Sequence, residues 1–261
     1  MPWARRLMWV LLGAVLLVLY LPLLPPLVSS VREADATGHF TLRWFAELWE
    51  QRLVTSAVRY SLAVAALTGV IATALALLAA MAVRELRAPR TVMMLMLLPL
   101  FIPGVSMGLA DAFLFRLLEV SPSLLTVTVV NVLWALPFAF LIVLTAMSSF
   151  DPVYLESAYL LGAGRWRAFV TVELPLIAPG VSGAALFSVI LSFNETVRTS
   201  MVQGPLNTVQ TYIWSTYRQV GLSPAIYALM SLLILLTLAL VLVMFTLASR
   251  TRRRRARLPA R

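Results

Sequence analysis

Cysteine is absent from the 261 residues, and so is lysine; histidine occurs once, at His39. Without cysteine there is no disulfide framework and no thiolate metal site, and a single histidine in a polar stretch cannot assemble a zinc or haem centre. No cofactor is expected in this chain. All 21 basic residues are arginine, a usage that reads as coding bias with one firm consequence. A phosphate-binding P-loop needs a lysine after its glycines, so if ATP drives the process, another polypeptide must bind the ATP and magnesium. Charge is scarce as well, 12% of residues against about 25% in average soluble domains.

What is present is apolar: 61% of residues are hydrophobic and the mean hydropathy is +0.91. This is the composition of an all-α integral membrane protein. Six spans of about 20 residues would use about half the chain, which leaves no room for a sizeable soluble domain and predicts a single membrane domain over residues 1–261. The net charge of +10 does not point to nucleic acid, because seven of the arginines crowd into the last twelve residues, directly after an apolar run. That is where the positive-inside rule expects them, and anionic lipid headgroups are their expected partner.

The apolar runs predict spans at 7–28, 56–83, 91–115, 124–147, 176–197 and 224–248. The first is longer than a signal-peptide core and no A-x-A site follows it. Residues 29–55 carry Arg32, Glu33, Asp35, Glu47 and Glu50 with Trp44 and Trp49, which suits an interfacial amphipathic helix. The third span is interrupted by Pro99, Pro103 and Gly104, a break tolerated only where freed backbone groups face protein or a water-filled cavity. Pro137 lies inside the fourth. Residues 198–223 form a polar connection with a turn at Gly204-Pro205. With the N-terminus inside, fourteen arginines fall on inner segments and seven on outer ones, which places both termini in the cytoplasm.

The same orientation puts residues 151–175 inside. Asp151 can cap free N–H groups and Pro152 suits a first helical position, so a short helix is expected over Pro152–Leu161. Gly162 sits where helices end in a left-handed residue. A second short helix carries Trp166, Phe169 and Val170 on one face beside Arg165 and Arg167, and Pro175 is expected to stop it. Two short amphipathic helices joined by a glycine bend make a docking element.

The spacing in this loop resembles a signature of ABC importer permease subunits: Glu-Ala-Ala, three residues, Gly, nine residues, then Ile-x-Leu-Pro. Here Glu156, Ser157 and Ala158 are followed by Gly162 and by Val172, Glu173, Leu174 and Pro175, with Ser157 and Val172 as the departures. Further stretches, Tyr60–Ala65, Asn131–Phe138, Ser192–Pro205 and Gly221–Leu229, resemble the polyamine-type branch, in particular the second permease subunit of spermidine/putrescine importers. The resemblance implies a bacterial inner-membrane pathway subunit without catalysis of its own. It implies as partners a second permease subunit, two ATPase subunits docked beneath, and a periplasmic solute-binding protein. Glu156, Ser157, Ala158, Gly162, Arg165 and Pro175 would form the coupling element, with Glu156 fixing register and Gly162 supplying the bend.

Ionisable residues inside a membrane are costly and usually face a cavity. Asp111, Asn194 and Glu195 are therefore candidates for the translocation pathway. Two readings stay open for the acids: Glu195 paired with Arg198 at the interface and Asp111 paired with Arg116, or carboxylates near the outer mouth that favour a cationic solute. The same branch also resembles importers of ferric iron, thiamine, opines, phosphonates and small amino acids. A secondary transporter driven by an ion gradient is the alternative; it would normally show paired repeats, and no fixed period is found. An intramembrane enzyme would need a convergent catalytic set, which isolated acids and one histidine do not make.

Overall fold

The computed structural model describes residues 2–33, 38–86 and 89–255, with nothing stated for the side chains of residue 2 and of residues 247–255. Asp35, Arg87 and the end of the basic tail, 256–261, lie outside the described residues. Among the described residues all regular structure is helical apart from one bridge between Arg32 and Phe40. The helices are α1 (Pro2–Tyr20), α2 (Leu24–Ser29), α3 (Arg43–Glu50), α4 (Arg52–Glu85), α5 (Pro89–Leu97), α6 (Gly104–Leu117), α7 (Leu124–Ser148), α8 (Val153–Leu160), α9 (Arg165–Ala168), α10 (Leu174–Asn194), α11 (Val197–Val202), α12 (Val209–Val220) and α13 (Pro224–Arg255).

Five helical stretches are long and apolar enough to cross a membrane: Trp3–Ser29, Arg52–Glu85, Leu124–Ser148, Arg165–Asn194 and Pro224–Thr246. The expected third span is indeed broken where its prolines stand. Pro89–Phe101 and Gly104–Leu117 meet at 101°, so the two halves do not share an axis. Pro99 lies in a 3₁₀ turn, Leu98–Phe101, and Pro103 precedes the first residue of α6. Two prolines four residues apart remove two backbone donors and force a bend. The chain thus has five spans, or six if the bent pair is one.

The chain divides into two compact units. In the first, residues 1–55 with 213–236, the prolines Pro22, Pro25 and Pro26 fall at the start of a 3₁₀ turn and of α2, where missing donors are harmless. Large side chains around the whole of α1 are exposed, Val10, Leu17 and Val18 among them, as expected of a helix whose neighbour is lipid. Trp44 Nε1 donates to the carbonyl of Arg32 at 2.8 Å, and α3 buries Leu48 while exposing Trp49. Ser231 Oγ donates to the carbonyl of Pro26 at 3.1 Å.

In the second unit, residues 56–212 with 237–261, α7 is the centre. Its most apolar stretch is 56% buried, and Pro137 sits inside it. Phe140, Val143 and Met147 pack with Ile177 and Ala184 of α10 and with Ala76 and Ala80 of α4. α7 and α10 cross where Gly180 meets Ala146: a Cβ on Gly180 would lie 2.2 Å from the Ala146 methyl, so only glycine allows this approach. The expected start of the fifth span at 176 is corrected. Helix runs from Arg165 to Asn194, and Pro175 does not stop it. A wide π-turn over Phe169–Glu173 intervenes, and Pro175 falls in the first turn of α10, where its missing donor is tolerated. The polar connection at 198–223 is likewise not all loop, since it contains α11 and α12.

Candidate coupling loop and buried polar cluster

The loop after α7 begins as its sequence implies. The backbone N–H of Val153 donates to Asp151 Oδ1 at 3.0 Å, relieving one orphan donor of α8. At the other end the N–H of Gly162 bonds the carbonyl of Tyr159 at 2.9 Å and that of Ala163 bonds Ala158 at 3.0 Å. This pair of bonds is a Schellman motif, which needs a left-handed residue at its corner. Gly162 has φ +83. A Cβ there would meet nothing within 4 Å, so glycine is required for its backbone conformation and not for room.

Between these ends the structure separates the loop's faces. Ala158, Ala168 and Phe169 are buried. Leu160 and Leu161 are each 89% exposed, and Trp166, Tyr154 and Val153 are exposed too. Ser157 turns inward on its own helix, its hydroxyl donating to the carbonyl of Val153 at 2.8 Å. Glu156 is exposed on α8. Arg165 has a side chain 90% exposed, with Nη1 3.9 Å from Glu85 Oε2 at the end of α4. Pro175 lies at the top of α10, away from the exposed leucines along the chain. Such a cluster of exposed apolar side chains on a loop marks an interaction surface.

The pathway candidates have different fates. Glu195 and Arg198 pair as their spacing suggests: Arg198 Nη1 donates to Oε2 at 2.7 Å and its backbone N–H to Oε1 at 2.8 Å. Yet both are buried, at 5% and 7% exposure, so the pair is not an exposed interfacial one. The guanidinium carbon lies 4.1 Å from the centre of the Trp134 ring, a desolvated cation–π contact worth about 2 kcal/mol. Two glycines of α6 also lie against Arg198: a Cβ on Gly104 would come within 3.2 Å of the guanidinium, and one on Gly108 within 3.0 Å of the Arg198 Cα. Asp111 does not pair with Arg116. Arg198 is the cation whose charge reaches it, and its Oδ2 is buried without a partner among the described residues. Asn194 stands apart on the exposed side, its amide donating to the carbonyl of Ile190 at 2.9 Å.

α11 is further held by polar contacts from α7. Asn131 Nδ2 donates to Thr199 Oγ1 at 3.0 Å, and Thr126 Oγ1 donates to the carbonyl of Val202 at 2.9 Å. Asn131 Oδ1, Ser192 Oγ and Arg198 Nε are further buried polar atoms without a partner among the described residues. Buried polar atoms are normally satisfied, so this concentration around one ion pair sets the region apart from the apolar core. Sequence reading named Arg198 as the partner of Glu195 but placed the pair at the interface, and it gave Trp134 and Asn131 no role in the site. The i, i+3 spacing from Glu195 was the one local signal for Arg198. No group of acids and histidines able to hold a metal occurs among the described residues.

The apolar spanning helices define an integral membrane protein, and the chain belongs to the family of binding-protein-dependent transport system inner membrane components, whose model matches residues 3–257. Among relatives, the spermidine/putrescine transport system permease protein PotC of Escherichia coli K12 is 26% identical over 227 residues, 85% of this chain and 86% of that one. The putrescine transport system permease protein PotI of the same strain is 27% identical over 246 residues, 89% and 86% of the two chains. A bacterial ABC transporter that imports the acidic polysaccharide alginate has the same fold, with TM-score 0.73, 17% identity and 96% of each chain covered. A second structure of an alginate transporter, in complex with its pentasaccharide-bound periplasmic protein, matches at TM-score 0.69. The chain is therefore a transmembrane subunit of an ATP-driven importer, without catalysis or a cofactor of its own, and belongs to the inner membrane. A carrier driven by an ion gradient is set aside.

Proposed function

We propose that this subunit imports a polyamine or a similar small cationic solute, and that residues 151–175 couple it to the ATPase. The observation that carries the coupling half is the exposed patch of Leu160, Leu161 and Trp166 beside Arg165, on a loop with the Glu-Ala-Ala-like spacing. Apolar knobs would enter a cleft of the ATPase, Glu156 would set register, and Gly162 would hold α8 at its angle to α9. Ser157 and Ala158 keep α8 packed, and Pro175 begins the rigid part of the fifth span. The working assembly is a second permease subunit, two ATPase subunits that bind ATP and magnesium, and a periplasmic binding protein. In this reading residues 1–261 are one permease domain, the bent pair counts as the third of six spans, and both termini are cytoplasmic, with the arginine tail against anionic lipid.

The solute half rests on the cluster around Arg198 and on the polyamine relatives. Glu195 is already paired with Arg198, so Asp111, whose Oδ2 has no hydrogen-bond partner among the described residues, is the acid left to meet a cationic solute, with Asn194 at the edge. The fold itself does not choose the solute, since an importer of an acidic polysaccharide shares it. Two experiments test the reading. Purification of the chain from its native membrane in mild detergent should bring a P-loop ATPase with it, and a chain disrupted at Glu156–Gly162 should lose that ATPase. Uptake of labelled putrescine or spermidine into cells should depend on the chain; uptake unchanged by its deletion removes the polyamine assignment.

A further inference from the structure

We propose that the ion pair Arg84–Glu173, in which the carboxylate is buried and the guanidinium reaches it from the exposed end of α4, is the joint through which movement of the loop reaches the second span, with Glu173 and Arg84 as positioning residues. The inference rests on the coupling reading above.

Glu173 is 1% exposed and is the last residue of the π-turn. Its Oε1 accepts from Nη1 of Arg84, in the last turn of α4, 89 residues away in sequence. Arg84 also lies 3.4 Å from Glu85, and Glu85 faces Arg165. The outer contacts are solvated and long, so they contribute little. The inner one joins a carboxylate with almost no access to water to its one charged partner, and separating the two would leave a buried charge.

The neighbouring contacts explain why one pair can act as a joint. α10 follows the loop by chain continuity, because α9, the π-turn and α10 form one unbroken helical stretch. α4 has no such link. It meets α7 and α10 through Ala72, Ala76 and Ala80, with Tyr60 and Val64 against Val127 and Val130 of α7 and Gly69 close to Val189 of α10. These contacts are apolar and without direction; at the loop end of α4 the ion pair with the buried Glu173 adds a directional contact that fixes one point of register. A π-turn is also a place where a helix can change its winding without losing all its hydrogen bonds. The pair is anchored at that place.

The test uses the whole importer in proteoliposomes, with uptake and ATP hydrolysis measured together. Glu173→Gln and Arg84→Gln should each lower solute moved per ATP about tenfold, within the range of couplings carried by contact networks. Because Arg84→Gln strands the buried Glu173 carboxylate, folding is checked with the double variant Glu173→Gln/Arg84→Gln, in which no buried charge is left. That variant should reach normal membrane abundance and still retain the ATPase on purification, while transport per ATP stays low. Normal transport per ATP in the double variant overturns the joint and leaves the pair a fold-stabilising contact. Loss of the ATPase from that variant also overturns it, since the residues would then belong to the docking face. If the unaltered chain retains no ATPase, the coupling reading itself fails and the joint with it.

Discussion

The loop after α7 and the cluster around Arg198 handle polar groups in opposite ways. In the loop, bonds are local: Asp151 caps the helix two residues on, Ser157 bonds one turn back, and the glycine corner closes on the preceding turn. Its apolar side chains are left outside, Leu160 and Leu161 at 89% exposure. In the cluster, the partners come from distant segments, with Asn131 reaching Thr199 across 68 residues and Arg198 seated on Trp134. Its charges are inside. The turn at Gly162 is thus set by the loop's own residues, and its ties to the rest of the fold, Arg165 to Glu85 and Glu173 to Arg84, come later in the chain. The cluster depends on four helices being in place at once, and its unsatisfied atoms face inward.

The comparison can be broken first at the corner of the loop. Gly162→Val puts a β-branched residue at φ +83, and uptake should be abolished while the protein still inserts; Gly162→Asn, which tolerates this conformation, should keep most of it. Normal uptake by the valine variant would sink the account of the bend. The next largest effect is expected inside. Arg198→Met leaves Glu195 buried without its partner and should destabilise the subunit by about 3–5 kcal/mol, read as a lowered melting temperature in detergent. Glu195→Gln in that background should recover much of it.

Asp111→Asn separates solute recognition from folding. Uptake of a dication should fall about tenfold, equivalent to about 1.4 kcal/mol, with melting unchanged, because no ion pair is broken. Unchanged kinetics would favour Glu195 or the binding protein as the source of selectivity; Glu195→Gln alone should then lower cation uptake. The smallest effect is Asp151→Ala, which removes one helix cap worth about 1 kcal/mol; uptake should drop less than twofold, and hydrogen exchange at Val153 should quicken.

Legibility in the sequence follows the same division. The long apolar stretches, the break at Pro99–Gly104, the cap at Asp151 and the left-handed Gly162 are all local features, and all are found, with the fifth stretch beginning earlier than its residues implied. Misreadings came where local rules were overridden. Pro175 reads as a stop, yet a wide turn one residue upstream shifts the helix so that the proline falls in a first turn. Asp111 reads as a partner of Arg116 by sequence proximity, but the cation that acts on it is Arg198, brought from α11 by the packing.

By itself the sequence determined the membrane class, the number of long apolar stretches, the arginine asymmetry and the family spacing of the loop after α7. Each is carried by residues within a few turns of one another, through periodicity, backbone preference and charge. Only the tertiary structure decided the 101° bend between α5 and α6, the seat of Arg198 against Trp134 and two glycines, and the marriage of Glu173 to Arg84. Those depend on which helix lies beside which. A buried charge takes whatever opposite charge the packing brings within reach, and no local spacing in the chain encodes that choice.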